Sequence, residues 1–140
     1  MRTFALMLLL LATVHGAQSQ LSKKEVSDAV RAVVAAQLAA LKVDDYEKAY
    51  EFASTQIKKQ FPLTLFAEMV KRGYPALAGH ARAEPGLVYD NREGRAGVVI
   101  SVYDERDMQV DYRYLLALED GAWRIDGVVL EPRRSLRENL

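Results

Sequence analysis

Apolar residues recur every three or four positions in the first half of the chain and every second position in the second half, so the pattern predicts helices followed by a sheet. Val26, Val30, Val33, Val34, Leu38 and Leu41 form one stripe with Lys24, Asp28, Arg31 and Lys42 opposite, which predicts a long amphipathic helix ending near Lys42. Ser22 and Glu25 stand at capping-box spacing at its start, with Leu21 and Val26 placed to staple it. Asp44 and Glu47 repeat the cap-plus-acid signature ahead of Tyr46, Ala49, Tyr50 and Ala53, predicting a second, shorter helix. Ile57 to Phe61 adds a turn or two. Pro62 opens a further helix through Leu65, Phe66, Met69 and Val70, which ends at Gly73-Tyr74-Pro75 with Gly73 as a left-handed stop.

From His80 onward the period is two. Strands are expected near 80–90, 96–104, 108–119 and 122–131, parted by the turn-forming Asn91-Arg92-Glu93-Gly94, Asp104-Glu105-Arg106-Asp107 and Asp120-Gly121. Connections this short predict an antiparallel meander of four strands. In the third strand Met108, Val110, Tyr112, Tyr114, Leu116 and Leu118 alternate with Gln109, Asp111, Arg113 and Glu119, so one face is apolar and the helices are expected to cover it. Trp123, Ile125 and Val129 alternate onto the same side of the last strand. The expected class is α+β, with N-terminal helices packed on one face of a curved four-stranded antiparallel meander.

The N-terminus changes the picture of where this domain works. Arg2 precedes an apolar run from Phe4 to Leu11 and then small and polar residues through Val14, Gly16, Ala17 and Ser19, the order of a secretory signal peptide. The run falls short of the roughly 20 apolar residues a membrane span needs. Cleavage is expected after Gly16 or after Ser19, with the second preferred. The organisation read from the sequence is therefore a signal peptide over 1–19, a single α+β domain over 20–132 and a solvated C-terminal tail over 133–140. The expected location is periplasmic or secreted, with no membrane association after cleavage. The chain contains no cysteine, so packing rather than disulfides must hold an exported domain together. About 120 mature residues suffice, because a domain of that size buries roughly two-thirds of the surface its unfolded chain exposes. Loss of Arg2 with the leader leaves 18 basic side chains against 19 acidic ones, a net charge of −1 that offers no footprint for nucleic acid or an anionic membrane.

Helices followed by a meander whose last hairpin reads Asp120-Gly121-Ala122-Trp123-Arg124-Ile125 resemble the nuclear transport factor two-like (cystatin-like cone) superfamily. The helical half is more specific. Gln37-Leu38, Ala40, Asp45, Ala49, Phe52-Ala53-Ser54, Ile57, Phe61, Phe66, Met69-Val70 and Arg72-Gly73-Tyr74-Pro75, with Gly121, Trp123, Ile125 and Gly127, look like the small exported bacterial proteins of domain-of-unknown-function family 4864. The resemblance covers nearly all of the mature chain and implies the cone fold and an envelope location. It implies no activity or catalytic residue, and no cofactor is expected.

Chemistry on such a fold needs an acid or base inside the pocket. The apolar strand faces carry Tyr112, Tyr114 and Trp123, whereas Asp111 and Asp126 alternate to the opposite side, so no catalytic residue is assigned. His80, the one histidine after the leader, is expected in a surface or capping role and supports no metal site alone. Asp44-Asp45 is read as a helix cap. Lys23-Lys24, Lys58-Lys59 and Arg133-Arg134 are isolated surface pairs. Gln37 departs from the pattern, because it falls near the centre of the apolar stripe and its amide must find partners in a sealed core or in a pocket. The candidate ligand-binding residues are Gln37, Tyr112 and Tyr114 between the first helix and the sheet, with Tyr74 near the mouth. The expected function is a non-catalytic binding module for a small apolar ligand or a protein partner. The alternatives are a hydro-lyase or isomerase of the cone superfamily, and a structural or oligomeric envelope protein that forms a homodimer through the sheet.

Overall fold

The computed structural model describes residues 18–132. The expected leader up to Ala17 and the expected tail over 133–140 lie outside the described residues. The element order is β1 (Gln20–Leu21), α1 (Lys24–Lys42), α2 (Tyr46–Glu51), α3 (Thr55–Gln60), α4 (Leu63–Gly73), α5 (Pro75–Ala78), β2 (Arg82–Asp90), β3 (Arg95–Tyr103), β4 (Gln109–Glu119) and β5 (Ala122–Glu131). The strands form one open antiparallel sheet in the order β1-β2-β3-β4-β5, so the fold is α+β, with five strands among the described residues rather than the expected four.

The added strand explains why the first helix starts differently from expectation. Gln20 and Leu21 pair with Asp90 and Tyr89 at the sheet edge. This places Ser22 Oγ as a donor to Asp90 Oδ1 at 2.5 Å instead of over the helix end. Buried Asp90 also accepts from the Arg92 backbone N–H at 3.1 Å and from Arg92 Nη1 at 3.0 Å. A carboxylate out of water gains more from the hydroxyl than a neutral helix N–H would. The first helix therefore begins after Lys23 with no side-chain cap, and Leu21 is 56 % exposed rather than stapled to Val26.

Two other helix ends are shifted by backbone geometry. Asp44 takes a left-handed φ of 57°, and Asp45 rather than Asp44 caps α2, its Oδ1 accepting from the Lys48 N–H at 3.0 Å. Gly73 is the last helical residue of α4 and not a left-handed stop; Tyr74 closes α4 and at the same time precedes Pro75, the first residue of α5. The sheet turns match the sequence more closely. Asp120 (φ 49°) and Gly121 (φ 80°) are both left-handed, as a two-residue type I′ hairpin requires. Asn91 and Asp104 use their side-chain oxygens to accept backbone N–H groups across the other two turns.

The core joins Val30, Val34, Leu38 and Leu41 of α1 to Val98, Ile100, Tyr114, Leu116, Trp123 and Ile125 of the sheet. In β5 the alternation slips: Leu116 faces Ile125 but Leu115 faces Gly127, leaving Asp126 as an extra residue. Beyond this bulge Val128 opposes the buried Tyr114, so Val128 and not Val129 continues the helix-facing side. Met108 and Leu118, at the two ends of the β4 stripe, are exposed.

Candidate functional site

A partly open cavity of about 220 Å³ lies between the helices and β5. Its floor is made of buried residues from four elements: Gln37 and Leu41 of α1, Phe66 and Val70 of α4, Leu77 of α5 and Ile125 of β5. Its rim is less buried and consists of Ile57, Phe61, Met69 and Tyr74 on the helical side and Val128 and Val129 on the strand side. Val129 is half exposed, which places the opening beside the second half of β5.

The reason for an opening there is that β5 is an edge strand. Its first half is covered by the chain between α2 and α3: the Ile125 N–H donates to Phe52 O at 2.8 Å, the Ser54 N–H donates to Ile125 O at 2.8 Å, and Ala53 bridges Ile125. The second half has no such partner segment among the described residues. Instead the Tyr74 hydroxyl donates to Val128 O at 2.8 Å, tying the α4–α5 junction to the strand across the rim. Tyr50 sets the other corner, its hydroxyl donating to Phe61 O at 2.8 Å while its ring packs 5.2 Å from that of Phe66.

The four candidate residues divide into two groups. Gln37 and Tyr74 line the cavity; Tyr112 and Tyr114 are buried in the sheet and do not. Gln37 is 4 % exposed, and its Nε2 reaches Ala49 O at 3.4 Å, long for an amide hydrogen bond. The Tyr112 ring stands 5.8 Å from that of Tyr74 at a tilt of 49°. Burial raises the Tyr112 phenol above its ordinary pKa, and the neighbouring Tyr74 phenol adds to the rise. Tyr114 is pushed up further, chiefly by complete burial and then by Tyr112 and Tyr74, and its hydroxyl has no hydrogen-bond partner among the described residues.

Sequence reasoning missed Phe61 and Met69 as rim residues and Val128 in place of Val129 as the helix-facing strand residue. Gly127 within a strand pattern was the available signal for the bulge that decides the second point. Asp126 is held outside the lining, its Oδ1 accepting from Ser54 Oγ at 2.6 Å and its Oδ2 from Arg95 Nη1 at 2.8 Å. His80 is buried rather than on the surface, with Nδ1 2.7 Å from Leu77 O at the end of α5, where it has a capping role. Among the described residues no group of three or more His, Asp or Glu side chains is placed to hold a metal, and no helix is long and apolar enough to cross a membrane.

The opposite face of the sheet carries a second feature. Tyr89, Gly97, Leu115 and Gly127 form a row across β2 to β5, and the Leu115 side chain lies over the two glycines. With Leu87 and Val99 this makes an exposed apolar strip flanked by Arg95 and by Arg113, which is paired with Glu131 at 3.0 Å.

No curated protein matches the chain. Among solved structures it is similar to Aln2 from a Streptomyces species, at 11 % identity over 80 % of this chain and 93 % of that one with a TM-score of 0.47. It is also similar to a variant of Rv3472, a protein of unknown function from Mycobacterium tuberculosis, at 15 % identity over 81 % of this chain and 75 % of that one with a TM-score of 0.45. The family described as domain of unknown function (DUF4864) matches residues 23–137, covering every helix and β2 to β5, and the chain belongs to that family.

Proposed function

We propose that this protein is an exported, cone-like binding module that holds a small apolar ligand between its helices and β5 without turning it over. The observation that carries the reading is the cavity itself, which among the described residues has a nearly continuous apolar wall and a single buried amide, Gln37, on its floor. A few polar groups on an otherwise apolar surface orient a ligand while burial supplies the affinity. The cone description rests on the arrangement of helices preceding a meander and covering one of its faces, with the cavity under them. Turnover requires a proton-transfer group within reach. Among the described residues the lining side chains offer only the Gln37 amide and the Tyr74 phenol, whose proton is committed to Val128 O. An amide does not titrate usefully.

Native mass spectrometry of the purified protein, followed by a thermal-shift screen of envelope metabolites, tests this reading. A retained apolar compound that raises the melting temperature of the wild type and not of Gln37→Leu is the expected result. Equal responses from wild type and Gln37→Leu would remove Gln37 from the site.

A further inference from the structure

We propose that the ligand is an uncharged aliphatic molecule of roughly eight to ten heavy atoms that presents one oxygen, a hydroxyl or a carbonyl, to the Gln37 amide. This rests on the reading of the cavity as a ligand site. Its size follows from the volume: a cavity of about 150 Å³ accepts benzene, so the 220 Å³ here accommodates a somewhat larger body.

The absence of charge follows from the surroundings of the floor. Among the described residues Tyr74 is the one ionisable residue in the lining, and Asp126, although it stands between the lining residues Ile125 and Gly127, has both carboxylate oxygens engaged by Ser54 and Arg95. The phenols of Tyr112 and Tyr114 lie behind the wall and not in it, so they supply no counter-charge to the floor. A carboxylate or ammonium drawn onto this floor would lose its water and meet no counter-charge, a far larger penalty than a neutral oxygen suffers.

The single oxygen follows from Gln37. One amide N–H points at Ala49 O over 3.4 Å, and no hydrogen bond to Oε1 forms among the described residues, so the group can both donate and accept. An apolar body extends from there towards Phe61 and Met69. These two side chains also wall an outer groove with Leu65 and the aliphatic stems of Glu68 and Arg72, so a longer chain has an apolar path outward.

The test is a matched series titrated into the purified protein at pH 7: 1-octanol, 2-octanone, octanoate and octylammonium, with toluene as an oxygen-free occupant. The neutral pair should bind at least tenfold more tightly than either ion. Gln37→Leu should cost 1-octanol about tenfold and leave toluene unchanged; Gln37→Met serves the same purpose if circular dichroism shows the leucine variant misfolded. Met69→Trp, which narrows the rim, should weaken every member. Octanoate or octylammonium binding as tightly as 1-octanol overturns this proposal while leaving the cavity reading intact. If neither toluene nor 1-octanol binds, or Met69→Trp changes nothing, the cavity reading fails and this proposal with it.

Discussion

Tyr114 shows how one side chain can work against the fold that it stabilises. Its ring is fully buried at the centre of the sheet, which favours folding, but its hydroxyl is desolvated without a partner among the described residues, which costs roughly 1–3 kcal/mol. Tyr114→Phe keeps the ring and removes the orphan group, so the urea midpoint should rise by the equivalent of about 1 kcal/mol or more. A lower midpoint would show that the hydroxyl is bonded in solution. The same residue sets an alkaline limit. Its pKa, and to a smaller degree that of Tyr112, lies above the ordinary 10.0 in the folded state, mainly through burial. Between the unfolded and folded pKa the native state binds more protons than the unfolded state, so stability is fully present below about pH 10 and falls as pH rises beyond it. Chemical denaturation from about pH 9 to 11.5 should show that fall, and Tyr114→Phe should flatten it; parallel curves would assign it to other groups.

Among the elements, the least expected is β1, and it depends on one carboxylate. Asp90 gathers the Ser22 hydroxyl, the Arg92 backbone and the Arg92 guanidinium, whose Nη2 in turn donates to Leu21 O at 3.0 Å. Two residues of strand cannot hold an edge by ladder bonds alone. Asp90→Ala leaves these donors unpaired and should cost roughly 1–3 kcal/mol. In hydrogen exchange the Ser22 N–H, which donates to Val88 O at 2.9 Å, should become fast while the amides of β3 and β4 stay protected. Continued protection of Ser22 would show that the backbone pairing suffices without the carboxylate. At the opposite edge the same need to satisfy an open strand is met differently, by residues 52–54 and the Tyr74 hydroxyl.

At the scale of the whole molecule, the exported state is a proposal carried by the order of Arg2, apolar core and small residues. N-terminal sequencing of envelope-fraction protein should give Ala17 or Gln20 as the first residue, and an intact Met1 on most of it would refute export with cleavage. Cleavage before Gln20 would leave the first strand residue at the terminus, since Gln20 already pairs with Asp90. The sequence by itself determined the elements whose cause is local: the helical period from Val26 to Leu41, the alternation in β3 and β4, and the Asp120-Gly121 hairpin, whose conformation its own residues dictate. It also marked Gln37 as a polar residue on an apolar stripe, and Gln37 does lie on the cavity floor. The tertiary structure decided what depends on partners distant in the chain. Ser22 leaves a plausible helix cap because Asp90, 68 residues later, competes for its hydroxyl. The bulge at Asp126 turns Val128 inward, and Tyr112 and Tyr114 lie behind the cavity wall rather than in it. Alternation assigns a side chain to a face of the sheet, but only the packing of the helices and the covering of an edge strand decide whether that face meets a cavity or solid core.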